Sequence, residues 1–179
     1  MINLIHEMDN LRFLCGEVVA VQAMASNAVR GFEVEDTAVI TLRFAGGALG
    51  SFTLSDTAVS PRSWEHTSGE NHDYPHQPEQ DCYFITGTHG ALAVPTMRTW
   101  RYPSDGMDAA DDARSWFKPF ERAQLAPTHC DPMAAQLDHF CDVLERKATP
   151  LVTVEDALQS LRVVEAVRQS VELGAEVTL

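Results

Sequence analysis

The sequence has few cysteines and few basic residues for its length. Its 179 residues include four cysteines, at positions 15, 82, 130 and 141, and no two of them form a CxxC pair. This usage predicts reduced thiols in a cytoplasmic protein, several of them buried as small apolar groups. Lysine and arginine total 13 against 26 acidic residues, which gives a formal net charge of -13. The balance argues against nucleic acid and anionic membranes as partners, because both require clustered positive charge.

Several catalytic and targeting signatures are also missing. The chain has no G-x-S-x-G motif and no cysteine in an evidently basic setting, so nucleophilic catalysis has little support. It has no G-x-G-x-x-G motif either, since Gly46, Gly47 and Gly50 fall within a predicted hairpin rather than between a strand and a helix. No segment has the length and apolarity of a transmembrane helix, and charged residues interrupt the first apolar run, which is unlike a signal peptide.

The hydrophobic pattern divides the chain into an initial helix, a central run of strands and two final helices. The first helix is predicted over Ile2–Gly16. Strands are predicted at 18–26, 36–44, 48–55, 82–86, 91–94, 97–102, 116–124 and 176–179, and an acidic loop at 104–114. Two further helices begin at Asp131 and Thr153, each with a polar N-cap residue, and the second ends at Gly174. The apolar face of the first is predicted to consist of Met133, Leu137, Phe140, Cys141 and Leu144. The apolar stripe of the second is predicted to consist of Leu158, Leu161, Val164, Val167 and Val171. This order predicts an α+β fold with a large, mostly antiparallel open sheet and two C-terminal helices packed on one face.

The segment DTAVITLRFAGGALGSF predicts the clearest hairpin of the sequence. Its first strand alternates, with one face made of Ala38, Ile40, Leu42 and Phe44. A two-residue turn at Gly46-Gly47 pairs Thr41 with Phe52, so that neither face is purely polar. Either a bulge shifts the register, or helices cover one face and a partner covers the other. We favour the second interpretation.

The polar segment 56–81 is longer than a structureless loop in a compact domain usually is. It contains three histidines, His66, His72 and His76, with acidic residues and Cys82 nearby. These residue types can form a zinc site, but their spacing matches no compact ligand pattern. We therefore predict no metal.

Aromatic residues in the same segment have two interpretations. Trp64 and Tyr74, beside Arg62 and Glu65, could line a pocket for a polyhydroxylated ligand, since aromatic faces stack on sugar C–H surfaces. Alternatively, the aromatic residues pin a long loop to the sheet. From the sequence the two interpretations have equal support.

The first helix carries the residues with the most chemistry, His6 and Asp9. They lie one turn apart and therefore on the same face. A histidine exchanges a proton near neutral pH, and a nearby carboxylate orients it or raises its basicity. The helix also carries a broad apolar stripe of Ile5, Met8, Leu11, Phe13 and Leu14. Taken alone, the pair is more typical of an ordinary polar helix surface.

Four segments taken together resemble a known family. INLIHEMDNLRFLCGEV, VEDTAVITLRFAGGALGSF, ITGTHGAL and QLDHFCDVLERKATPLVTVEDALQSLRVVEAV resemble the C-terminal domain of the Gfo/Idh/MocA oxidoreductases. This is the glucose-fructose oxidoreductase and inositol dehydrogenase family. The similarity covers nearly the whole chain and keeps the order and spacing of its landmarks, although no single motif is diagnostic.

The resemblance implies a two-domain dehydrogenase that acts on a sugar, inositol or related polyol. In the family an N-terminal Rossmann domain binds NAD or NADP, and the α+β domain supplies substrate contacts. The α+β domain also forms a homodimer or tetramer through its open sheet face. Residues 1–179 correspond to this second domain alone, a single domain for substrate binding and oligomerisation. The Rossmann domain would lie upstream of Met1, and the isolated chain is expected to bind no cofactor and to be inactive.

The resemblance also assigns roles to individual residues. His6 and Asp9 match a family pair at the junction of cofactor and substrate, so His6 would accept the substrate hydroxyl proton and Asp9 would orient it or bind a hydroxyl. Many relatives have an aspartate where this chain has Ile2, and Asn3 is the alternative hydroxyl ligand here. Arg62, Trp64 and Glu65 are expected near the mouth of the site, according to the same resemblance.

Two other readings of the sequence compete with the dehydrogenase hypothesis. One is a non-catalytic dimeric interaction module of the same fold. The other is a zinc-dependent sugar-binding protein, which depends on the loop histidines.

Overall fold

A computed structural model of the chain describes residues 1–103, 117–128 and 130–179, which form helices and antiparallel strands. The helices are α1 (Leu4–Cys15), α2 (Trp64–Ser68), α3 (Pro132–Leu144) and α4 (Val154–Leu173). The strands are β1 (Val18–Ser26), β2 (Thr37–Phe44), β3 (Leu49–Ser55), β4 (Tyr83–Thr86), β5 (Gly90–Val94), β6 (Arg98–Arg101), β7 (Glu121–Gln124) and β8 (Val177–Thr178). The α+β class is confirmed. In the described residues the predicted large sheet is divided into two four-stranded sheets.

The chain folds as two units. The first consists of Met1–Val59 and Arg146–Leu179, and the second of Ser60–Glu145. The first unit holds the sheet β3-β2-β1-β8, with α1 and α4, and the second holds the sheet β4-β5-β6-β7, with α2 and α3. In that second sheet β7 lies at the edge. Part of the predicted strand 116–124 and all of the acidic loop 104–114 lie outside the described residues.

The core of the first unit is formed by one face of its sheet together with α1 and α4. It consists of Leu4, Met8, Val18, Val21, Ala23, Ile40, Leu42, Phe44, Val163, Ala166 and Val167. In β2 the alternation predicted from the sequence is confirmed, because every second residue from Ala38 to Phe44 is buried. Burial of these side chains removes apolar surface from water, which is the main favourable contribution to folding.

The hairpin register differs from the prediction by one residue. The amide of Phe44 donates to Ala48 O over 2.9 Å, so the loop consists of Ala45, Gly46 and Gly47. Gly47 has a φ of 87°, the left-handed conformation that glycine adopts without a steric cost. Ile40 therefore pairs with Phe52, and Thr41 with Ser51. The predicted pairing of Thr41 with Phe52 is wrong, because a longer loop replaces the two-residue turn.

The corrected register separates an apolar face from a largely polar one. Residues that point away from the core include Gln22, Met24, Val39, Thr41, Arg43, Leu49, Ser51 and Thr53. Hydroxyl side chains dominate this outer face in β2 and β3. The corrected register removes Phe52 from the outer face, which keeps Met24, Val39 and Leu49 as its exposed apolar residues.

The C-terminal helices begin where the sequence predicts, but their buried faces differ from the prediction. Asp131 and Thr153 cap α3 and α4 by accepting backbone N–H groups, and Gly174 ends α4. No residue of α3 is buried, and its predicted apolar face is exposed at Met133, Leu137, Phe140, Cys141 and Leu144. In α4 the buried residues are Ser160, Val163, Ala166, Val167 and Ser170, whereas Leu158 and Leu161 are exposed.

The small residues on the buried face of α4 explain this difference. The helix packs on β1, where Ser170 Oγ accepts the Ala23 amide at 2.9 Å and donates to Ala175 O at 2.6 Å. A serine whose hydroxyl is satisfied in this way is buried at little cost. Hydrophobic periodicity assigns serine to the polar face, so the predicted apolar stripe of α4 differs from the face that is buried.

Two further sequence predictions concern thiols and membrane segments. Cys15 and Cys82 are half-buried and Cys130 and Cys141 are exposed, so the predicted burial of several cysteines is wrong. None of these four described cysteines forms a disulfide. Among the helices that the structure describes, none is long and apolar enough to cross a membrane.

Candidate active site

Helix α1 presents His6 to solvent and packs its opposite face on the core. Leu4, Met8 and Arg12, which are four residues apart, are the buried residues of the helix. The predicted apolar stripe is correct at Met8 but wrong at Phe13, which is 89% exposed. The spacing of the buried residues places His6 on the accessible side of the helix.

Asp9 is held by a serine from α4. Ser160 Oγ donates to Asp9 Oδ1 over 2.8 Å, and Arg12 Nη1 lies 3.5 Å from the same oxygen. The Asp9 side chain remains 38% exposed, whereas that of Arg12 is 4% exposed. Asp9 therefore contacts buried residues through Oδ1, while part of its carboxylate is exposed on the helix that carries His6.

The buried guanidinium of Arg12 is surrounded by acceptors. Glu17 accepts from Nε over 3.0 Å and from Nη2 over 2.8 Å. Asp156 accepts from Nη2 at its carboxylate over 2.7 Å and from Nη1 at its carbonyl over 3.0 Å. The hydrogen bonding of Arg12 to the Glu17 carboxylate is the largest influence on the pKa of the guanidinium, and burial opposes it. With Asp156, Glu17 raises the pKa further above its ordinary value.

Ile2 and Asn3 lie at the start of α1. Ile2 is 91% exposed. Asn3 is the exposed N-cap residue, and its side chain makes no capping hydrogen bond. In the described part of the chain no hydrogen bond joins the side chains of His6 and Asp9. This end of α1 thus presents an imidazole, a carboxylate and a free carboxamide.

The other candidate residues lie in the second unit, around α2. Arg62 and Glu65 are exposed. Trp64 begins α2, donates from Nε1 to Glu70 Oε2 over 2.8 Å, and places its ring 5.9 Å from that of Tyr83 on β4. This packing agrees with the interpretation in which aromatic residues pin the segment to the sheet.

Two of the three loop histidines are bonded within their own segment. His66 Nδ1 lies 3.0 Å from the Pro75 carbonyl oxygen, and His76 Nε2 lies 3.1 Å from that of Thr67. The ring of Tyr74 meets that of His66 edge-on at 5.9 Å. Within residues 1–103, 117–128 and 130–179, no three His, Cys, Asp or Glu residues are grouped so as to hold a metal ion.

The described residues also provide no cradle for a dinucleotide. Such a cradle needs a glycine-rich turn between a strand and a helix, whose N-terminus faces the pyrophosphate. Gly46, Gly47 and Gly50 instead lie in or beside the β2–β3 hairpin. The exposed imidazole of His6 and the partly exposed carboxylate of Asp9 are groups of the types that transfer protons in enzymes.

Sequence reasoning missed the network behind Asp9. Its members are Arg12, Glu17, Asp156 and Ser160. One signal was present, since Arg12 continues the four-residue spacing of Leu4 and Met8 on the buried face. A charged residue at such a position requires buried partners. The identity of those partners depends on the packing of α4, which the sequence does not reveal.

Comparison with known proteins places this domain among the oxidoreductases. A family model described as "Oxidoreductase family, C-terminal alpha/beta domain" matches residues 1–179. The chain belongs to this Gfo/Idh/MocA family, which confirms the resemblance inferred from its motifs. A search of curated proteins gave no match.

Solved structures of the same fold include several dehydrogenases. An NAD-binding protein from Listeria innocua superimposes with a TM-score of 0.69 and 19% identity, over 98% of this chain and 49% of that chain. The WlbA dehydrogenase from Bordetella pertussis, in complex with NADH and UDP-GlcNAcA, gives 0.60 and 23%, over 98% and 43%. An aldose-aldose oxidoreductase from Caulobacter crescentus, complexed with glycerol, gives 0.64 and 24%, over 98% and 46%. The chain spans about half the length of each of these structures.

Proposed function

We propose that this chain is the substrate-binding and oligomerisation domain of a cytoplasmic NAD(P)-dependent dehydrogenase that oxidises or reduces a sugar, inositol or related polyol. The observation that carries the proposal is the exposed His6 beside an anchored Asp9, on the first helix of a domain of this family. Two of the similar structures contain a sugar nucleotide or glycerol, which supports a polyhydroxylated substrate.

The reaction assigned to these residues is proton transfer from a carbinol. The imidazole of His6 accepts the hydroxyl proton of the substrate as the carbonyl forms, and returns it in the reverse direction. Asp9 accepts a hydrogen bond, either from the His6 ring or from a neighbouring substrate hydroxyl. When bound by a Rossmann domain, a nicotinamide cofactor supplies the hydride acceptor.

Secondary substrate contacts are proposed at four further residues. Asn3 offers both a donor and an acceptor at the same end of α1. Arg62 and Glu65 present charged groups on the exposed surface around α2. Trp64 contributes an aromatic face, although its indole N–H is already bonded to Glu70.

Replacement of His6 by alanine tests the catalytic role in the complete enzyme, with the cofactor domain included. We expect kcat to fall about 100- to 10,000-fold, the usual contribution of a general base. NAD(P) reduction is followed with a panel of polyols. His89→Ala, an exposed histidine in the β4–β5 turn, is the matched control and should retain full activity.

Two outcomes contradict this assignment. Unchanged turnover in His6→Ala removes His6 from the proton-transfer role. Turnover by the isolated 179-residue chain refutes the division of the site between two domains, because this chain is expected to be inactive alone.

One observation favours a second candidate, a non-catalytic dimeric interaction module of the same fold. Ile2, at the position where the family resemblance implies an aspartate, is an apolar residue that is 91% exposed. Absence of turnover with every polyol in the complete protein, together with stable dimers, supports this alternative.

A further inference from the structure

We propose that Arg12 and Ser160 are positioning residues, which hold Asp9 as a hydrogen-bond acceptor beside His6. The inference depends on the proposed function, because it assigns a purpose to a network behind the proposed catalytic pair. It is drawn from hydrogen bonds that link α1 to α4 within the first unit.

The direction of the hydrogen bonds in this network is determined by chemistry. A guanidinium has donors but no acceptor, so Arg12 Nη1 donates to Ser160 Oγ over 2.7 Å. The hydroxyl of Ser160 has a single hydrogen, which it donates to Asp9 Oδ1 over 2.8 Å. Asp9 is therefore constrained to accept at this oxygen.

Arg12 is itself immobilised. Its guanidinium meets Glu17 through two nitrogens, and Asp156 through both a carboxylate and a carbonyl oxygen. A planar donor group with this many partners holds one orientation, and burial strengthens each charge-assisted bond. The position of Ser160, and through it that of Asp9, is thus set by a rigid donor.

The remaining carboxylate oxygen of Asp9 is the one available to a ligand. Oδ1 is occupied by Ser160 and approached by Arg12, while the side chain is 38% exposed. In the described residues no hydrogen bond reaches Oδ2. This oxygen can accept a hydrogen bond from a substrate hydroxyl or from the ring N–H of His6. The orientation of the carboxylate is set by Ser160 and Arg12 at the other oxygen.

The same helix provides a matched control in Ser170. Both serines are buried on the inner face of α4, and both hydroxyls accept one hydrogen bond and donate another. Ser170 bonds Ala23 of β1 and Ala175 after α4, whereas Ser160 bonds two residues of α1. Loss of either hydroxyl therefore affects the packing of α4 similarly. Only loss of the Ser160 hydroxyl removes a hydrogen bond to Asp9.

The first measurement compares turnover of Ser160→Ala, Ser160→Thr and Ser170→Ala in the complete enzyme. We expect Ser160→Ala to lower kcat about tenfold with KM changed by less than about threefold, because a charge-assisted hydrogen bond is lost behind Asp9. Ser160→Thr retains the hydroxyl and should recover most of the loss. If Ser160→Ala and Ser170→Ala have the same kcat, the positioning role is refuted while the proposed function stands.

The second measurement needs no activity. Urea unfolding of the 179-residue chain is compared for the wild type, Asp9→Ala, Ser160→Ala and the double variant. We expect a coupling of about tenfold in the unfolding equilibrium constant, as for a hydrogen bond to a charged group. Additive effects refute the bond between Ser160 and Asp9.

If the complete wild-type enzyme turns over no polyol, the proposed function and the catalytic purpose of the network both fail. The double-mutant cycle still decides whether Ser160 holds Asp9.

Discussion

Arg12 shows how one buried charge can organise a local site. In a chain with 26 acidic residues and 13 basic ones, a buried cation easily finds carboxylate partners, and Glu17 and Asp156 fill this role. Removing one member of a buried charged network leaves the others without compensation, which usually destabilises a protein more than the network stabilises it. Arg12 is therefore expected to tolerate no uncharged replacement.

A second arginine, Arg168 on the exposed face of α4, shifts the titration of a neighbour. Its hydrogen bonds to Glu165 hold the pKa of that carboxyl at about 2, well below its ordinary value of 4.5. Since the folded pKa is lowered, the ion pair stabilises the protein above about pH 4.5, and this stabilisation is lost as the pH falls towards 2.

Replacement of Glu165 by glutamine tests this linkage. We expect the variant to have a slightly lower Tm than the wild type at pH 7, since an exposed ion pair contributes little. The difference should vanish as the pH falls from about 4.5 to about 2. Calorimetry across this range measures it, and a Tm difference that stays constant with pH contradicts the assignment.

At the scale of single residues, the sequence indicated which side chains are candidates for catalysis, but not which residues form hydrogen bonds with them. His6 and Asp9 were selected because of their types and spacing, and the structure presents both at the surface of one helix. Ser160 was overlooked because a serine in a helix has no pattern that marks it as buried. Its burial depends on the close packing of α4, a tertiary property.

Among the elements, the hairpin from β2 to β3 shows how a short loop determines which side chains face the core. The strands themselves were predicted to within a residue, because alternation of apolar and polar residues is a strong signal. The register between the two strands was not predicted correctly, because Gly46 and Gly47 are compatible with loops of more than one length. Shifting the register by one residue exchanges the two faces of a paired strand.

Alanine at Gly47 tests the conformation of this loop. The residue has a φ of 87°, where a side chain is disfavoured, so Gly47→Ala should lower the free energy of unfolding by about 1 kcal/mol. Gly46→Ala is the matched control, because Gly46 does not have a positive φ and a Cβ there meets no atom within 4 Å. Urea denaturation of the two variants measures the difference, and equal stabilities refute the loop geometry.

For the whole molecule, the exposed face of the first sheet is where self-association is proposed. This face is largely polar, but it contains an apolar pair, Met24 directly opposite Val39. Met24 is 79% exposed. In many protein–protein interfaces a few apolar side chains at the centre, surrounded by polar residues, contribute most of the binding energy, and this pair has that arrangement.

Replacement of Met24 by lysine tests the proposed interface. We expect the wild type to sediment as a dimer or larger oligomer at micromolar concentration, and Met24→Lys to raise the dissociation constant at least about tenfold. Val59→Lys, at a fully exposed position outside the sheet, is the control. A monomeric wild type contradicts the oligomerisation role and leaves the catalytic proposal intact.

The first unit is assembled from the two ends of the chain, Met1–Val59 and Arg146–Leu179. During synthesis the apolar face of β2 is complete about 110 residues before α4 begins, an interval of roughly 5 to 20 s at ordinary translation rates. Until α4 is made, Ile40 and Leu42 lack the Val163 and Val167 side chains that help to cover them. The apolar face of β2 in the nascent chain is therefore incompletely covered until α4 has been synthesised.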